Sequence, residues 1–201
     1  MFRSKKQCSN FFRISIFIVS FFSITACSTR DVQSELNGSS AQRLISHSID
    51  DLVSKLKDQN LTDLKDKKVY LNSYFINMNQ FKDYADHRLA LELQSRFGAI
   101  VVDKQAESEQ VMTVFYTSLA TDFDSFGISI PFGYVPGVDE STRLNILTIE
   151  KFHGVSEMYY YLGPTGTENR SKVIQARVKT DALGLPFITI PLSNLDRHDS
   201  W

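Results

Sequence analysis

The chain has 201 residues, two cysteines and 22 basic against 23 acidic side chains, a formal charge of −1 with histidine neutral. That balance argues against a nucleic-acid partner, which would want a basic face. The length suits one domain with a sizeable core.

Arg3, Lys5, Lys6 and Arg13 precede Cys27 with no acidic residue among them, and an apolar run extends from Ile14 to Ile24. This run is too short to cross the ~30 Å hydrocarbon layer, which takes about 20 apolar residues. A basic start, a short apolar core and small residues at its exit predict a secretory signal over residues 1–26. Ile24-Thr25-Ala26-Cys27 resembles the bacterial lipoprotein box. The resemblance implies a diacylglyceryl group on the Cys27 sulfur, cleavage before Cys27 and acylation of the new α-amine. One acyl chain holds a membrane only marginally, at about 0.8 kcal/mol per buried methylene, so two or three make the anchor stable. The same resemblance implies, from Ser28 after the cysteine, an outer-membrane, periplasm-facing location, with the inner membrane as the alternative. Removing the leader leaves 18 basic against 23 acidic residues, because its four charges are all basic. With Cys8 lost and Cys27 acylated, the fold has no disulfide, thiol nucleophile or cysteine metal ligand.

Residues 27–40 are polar and read as a lipidated tether, followed by a single domain over 41–191 and a tail over 192–201. Some 13 flexible residues span roughly 20 Å, so the domain stays near the lipid. Ser39 or Ser40 is placed to cap a helix near 41–59, with Ile45, Ile49, Leu52, Val53 and Leu56 along one stripe. Residues 69–76 alternate as a strand. Asn77 and Gln80 form a capping-box pattern ahead of a second helix carrying Phe81, Ala85, Leu89, Leu93 and Phe97. Gly98 sits where a left-handed C-terminal residue belongs. Short strands follow at 99–103 and 111–119.

Residues 121–142 interleave Phe123, Phe126, Ile128, Ile130, Phe132, Tyr134 and Val135 with Gly127, Pro131, Gly133, Pro136 and Gly137. The prolines argue against a central strand. Either a loop folded over the sheet or an exposed apolar contact surface follows from this composition. Two strands at 144–161 and 172–179 close the domain as a hairpin through Gly163-Pro164-Thr165-Gly166. Gly154 is expected to mark a bulge, and residues 186–191 to add an edge segment. Helices at the front and strands at the back predict an α+β fold, mainly antiparallel, with one sheet covered on one face.

Chemistry is sparse. His47, His87, His153 and His198 show no paired metal-ligand spacing, and Asp196-Arg197-His198-Asp199 reads as a solvated terminus. No Gly-x-Ser-x-Gly elbow and no glycine-rich strand-to-helix loop occurs. Asp122 and Asp124 flank Phe123 as surface carboxylates. Tyr159, Tyr160 and Tyr161 must alternate between faces, placing some in the core and some in solvent.

The order behind the lipoprotein box resembles small Gram-negative envelope lipoproteins of an uncharacterised family. The resemblance rests on Lys68-Val69-Tyr70-Leu71, on Phe126-Gly127-Ile128-Ser129-Ile130-Pro131-Phe132 and on Thr165-Gly166, and implies no activity. More distantly the order is similar to the periplasmic domain of the curli secretion channel lipoprotein, whose inserted segments form a barrel as a ring assembles. Here the insert at 120–143 is single, short and proline-rich. The sequence thus predicts a non-enzymatic envelope component with no cofactor or metal, anchored in the membrane through Cys27. Its contact residues are Phe123, Phe126, Ile128, Ile130, Phe132 and Tyr134, and its partner a second copy or another envelope protein. A lipid- or glycan-binding module is the alternative.

Overall fold

The computed structural model describes residues 29–31, 38–57, 61–76, 80–131 and 143–193. Residues 1–26, read above as a signal, and Cys27, Asn77, Phe132, Tyr134 and His198 lie outside the described residues. The fold is α+β: among the described residues, two α-helices lie on one face of a seven-stranded mixed sheet.

The first helix, α1, covers Ser39–Ser54 with Gly38 at its N-cap. Ser39 and Ser40 therefore start the first turn instead of capping it, and the helix ends before residue 59. Its stripe of Ile45, Ile49, Leu52 and Val53 is buried, as the spacing predicts, and Leu44 is buried beside it. The stripe also buries Ser48, whose hydroxyl donates to the Ile45 carbonyl (2.8 Å) and pairs with the Ser156 hydroxyl at 2.6 Å. A buried hydroxyl costs stability unless it finds a partner, and the two serines satisfy each other across the helix–sheet interface.

The second helix, α2, covers Gln80–Ser95, with Ala85, Leu89 and Leu93 turned inward. Gly98 has φ +65°, the left-handed terminator the sequence calls for, and its carbonyl accepts from the Asp66 amide. Strand β2 (Lys68–Tyr74) runs parallel to β3 (Ile100–Val102) on one side and to β4 (Gln110–Pro131) on the other. The remaining strands, β5 (Arg143–Gly163), β6 (Ile174–Leu185) and β7 (Ile188–Pro191), follow antiparallel in order. β7 is the anticipated edge segment.

Three expectations are corrected. Residues 121–131 are strand: β4 continues through them, paired with β5 out to Pro131↔Arg143. The proline is tolerated because it stands at the strand's last residue, where no further ladder bond is asked of it. Gly154 is in register with Thr121 and Val178, not bulged; it is glycine because the Leu44 carbonyl of α1 occupies the place of a Cβ. Within the stretch read as a tether, Thr29–Asp31 forms strand β1, antiparallel to β4 with Thr29↔Ser125 and Asp31↔Phe123. Among the described residues the distal half of β4 has no other neighbour on that edge, since β2 reaches only Phe115, and an open edge pairs readily with an extended segment beside it.

The core lies between the helices and the proximal sheet, built on Val69, Met112, Val114, Tyr116, Met158, Tyr160 and Leu162 against the helical stripes. Its reach is set by geometry. Sixteen helical residues span about 24 Å, whereas the 22 residues of β4 extend about 70 Å. The β4–β5 ribbon outgrows the helices that cover it.

Candidate interaction surface

Strand pleating sends alternate residues to opposite faces, and one bulge decides which residues of β4 meet solvent. The β4–β5 register shifts between Tyr116 and Ser118, leaving Thr117 as the extra residue; its hydroxyl donates to the Glu157 carboxylate at 2.6 Å. Before the bulge the even residues Met112, Val114 and Tyr116 face the helices. After it the odd residues do, and Leu119 and Thr121 are buried there. Phe126, Ile128 and Ile130 are thereby turned to the open face.

Their neighbours complete an apolar strip. Phe126 pairs with Ile149, Ile128 with Leu147 and Ile130 with Leu144. Ile149 pairs with Leu183, and Leu183 with Ile190. A second shift, between Ile128 and Ser129, places Ile146 as the extra residue of β5 and keeps Leu144 on the strip side. Ile128 is 65 % exposed and Phe126 55 %, with Leu147, Ile149, Ile188 and Ile190 also exposed. The opposite face of the same ribbon is polar: Asn145 Nδ2 donates to Glu150 Oε1 at 2.7 Å beside the buried Thr148.

Phe123 does not belong to this strip. It faces the helix side, its ring 4.9 Å from that of Phe152 at 41°. The two rings line a cavity of about 530 Å³ with Leu44, Thr121, Ala182 and Pro191, beyond the start of α1. Sequence reasoning grouped Phe123 with Phe126 because both lie in one aromatic, glycine-interleaved stretch; pleating separates them.

Nearer the helices the open face carries a row of rings across three strands. Tyr74 and Phe115 stack at 5.2 Å and 17°, Phe115 and Tyr159 at 5.2 Å and 14°. Tyr161 meets Phe115 and Tyr159 edge-on, and the Arg170 guanidinium lies 4.7 Å from the Tyr159 ring centre. Tyr160 is buried on the helix side, as alternation requires. The rings stack on one another and on Arg170 along the row, and Tyr74 at its end is half exposed.

Between the row and the strip, Asp122 pairs with His153 and Asp124 with Lys151, all on the open face. His153 Nε2 lies 3.5 Å from Asp124 Oδ2. His153 Nδ1 and Asp181 Oδ1 are buried with no hydrogen-bond partner among the described residues.

One polar network sits beneath α2. Asp86 accepts from Tyr116 OH (3.0 Å), Ser73 Oγ (2.6 Å) and Lys82 Nζ (2.8 Å), and Lys82 Nζ also donates to Ser73 Oγ at 2.7 Å. Burial, followed by the Asp86 charge, pushes the Tyr116 phenol well above its ordinary value. The group braces α2 against the sheet, since Lys82 and Asp86 belong to the helix and Ser73 and Tyr116 to β2 and β4. A second brace joins the helices: Arg88 Nε donates to Asp50 Oδ1 at 2.6 Å, and Tyr84 OH donates to the same carboxylate. Among the described residues no group of three His, Cys, Asp or Glu side chains is placed to hold a metal.

No family model matches the chain, and no curated protein matches it. Among solved structures the chain is similar to a neuraminyllactose-binding hemagglutinin homolog from Helicobacter pylori, at 12 % identity and a TM-score of 0.31, over 67 % of this chain and 77 % of that one. A correspondence of that size carries no argument about this chain's fold or function. Among the described residues no helix is long and apolar enough to cross a membrane.

Proposed function

We propose that the chain is a lipid-anchored, periplasm-facing component of a Gram-negative outer membrane that works without catalysis, as an assembly or accessory protein. The observation that carries this reading is the apolar strip. Large aliphatic and aromatic side chains occupy one face of four adjacent strands, and contiguous exposed apolar surface of this kind marks a contact site. The lipoprotein-type leader ending in Ile24-Thr25-Ala26-Cys27 supplies the address.

Expression of the full chain beside Cys27→Ala in a Gram-negative host, with intact-mass measurement and membrane fractionation, tests the reading. The expected result is a tri-acylated chain in the outer-membrane fraction, and release of the Cys27→Ala chain. An unacylated, freely soluble wild type would sink it.

A second reading, a lipid-binding module, is favoured by the cavity at Phe123 and Phe152. Its volume of about 530 Å³ falls in the range of small-molecule sites. Co-purifying lipid lost on Phe152→Ala would favour this module.

A further inference from the structure

We propose that the apolar strip lies against the lipid surface itself, with the bilayer as its partner. This inference rests on the anchoring of Cys27 proposed above. It follows from where β1 joins the sheet. Thr29 is paired with Ser125, the residue immediately before Phe126. Thr29 is the first residue of β1 and stands at the Phe126 end of the pairing. Cys27 stands two residues before Thr29, and two residues of chain reach about 7 Å at most. An acyl group on Cys27 therefore enters the bilayer beside Phe126 and Ile128. The 13-residue tether that would have let the domain drift from the membrane is shortened to two residues on the strip side.

The ribbon is graded to match. From its distal end the open face presents Ile130 and Leu144, then Ile128 and Leu147, then Phe126 and Ile149. One pair further on, about 7 Å along the strands, come Asp124, Lys151 and, across β6, Asp181. The charged row marks where the apolar face ends and so bounds the area that can be buried. Backbone pairing joins β4 to β5 along the strip, and Ile149 and Leu183 are paired on both sides. The polar back of the ribbon, Asn145, Thr148 and Glu150, is turned away. A surface with an apolar face and a polar back lies in the interface plane by burying the former, with affinity that scales with buried apolar area.

The test uses the full chain, purified from membranes and reconstituted into vesicles of phosphatidylethanolamine and phosphatidylglycerol, with a single tryptophan as reporter. Trp201→Phe removes the native reporter; Ile128→Trp places one in the strip and Leu91→Trp places one on exposed α2. Lipids brominated along the acyl chains quench tryptophan that reaches them. The expected result is a blue-shifted emission at 128 quenched several-fold more than at 91. Equal, weak quenching at both positions overturns the inference, as does a cross-link between two copies at Ile128→Cys without quenching at 128. Intact mass of the same sample reads the anchor separately: an acylated chain with no quenching at 128 defeats strip docking alone. An unacylated chain still quenched at 128 defeats the anchor alone.

Discussion

Gly154 and Leu44 set the distance between the sheet and its first helix: the Leu44 carbonyl stands where a side chain on residue 154 would begin. The contact draws α1 onto β5 at its closest point, a turn before the Ser48–Ser156 hydrogen bond. Any Cβ at 154 must push against backbone, which cannot rotate away. Gly154→Ala is expected to cost about 2–3 kcal/mol, the usual scale for overpacking a filled interior. A urea unfolding midpoint equal to wild type would show that the helix moves without penalty.

Asp86 gathers three donors, from Tyr116, Ser73 and Lys82. Asp86→Ala strands a buried phenol and a part-buried ammonium, and is expected to cost about 3 kcal/mol. Tyr116→Phe removes one bond only and is expected to cost about 1 kcal/mol. The two should be non-additive in a double-mutant cycle because they share a partner. The phenol's raised value has its own signature. Its stabilisation is complete below the unfolded tyrosine value of about 10 and is lost as pH rises through the higher folded value. Stability measured above about pH 10 should fall less steeply in Tyr116→Phe than in wild type.

The Glu168 carboxylate accepts from the Thr165 hydroxyl at 2.6 Å and from the amides of Thr165 and Thr167, closing the turn after β5. The Thr165 bond leads in lowering its pKa from 4.5 to about 2. A depressed carboxylate contributes stability above its unfolded value and loses it as pH falls through the folded one. The turn should therefore hold at pH 5 and loosen between pH 4.5 and 2. A carboxyl NMR titration with a midpoint near 4.5 would contradict the bonding described.

The strip side chains are exposed, so their removal should leave folding intact. Phe126→Ser and Ile128→Ser are each expected to shift stability by no more than about 0.5 kcal/mol, while binding of a hydrophobic dye by the purified protein drops. A large loss of stability would mean that the strip is packed within the folded chain.

The sequence by itself determined the helices, because Ile45–Leu56 and Ala85–Phe97 repeat at the helical period and Gly98 supplies the terminator that only a left-handed residue provides. It determined the α+β class, the β5–β6 hairpin and the separation of Tyr160 from Tyr159 and Tyr161, all consequences of local period and turn chemistry. It also drew attention to Phe126, Ile128 and Ile130 as a surface. Tertiary structure alone decided which face they occupy. Met112, Val114 and Tyr116 share their parity, and only the bulge at Thr117, fixed by pairing with β5, turns the later residues from core to solvent. Pairing also decided that Pro131 could close a strand, that Gly154 serves a passing helix, and that β1 joins β4. Each of these depends on a partner dozens of residues away, and no local pattern encodes the identity of a distant neighbour.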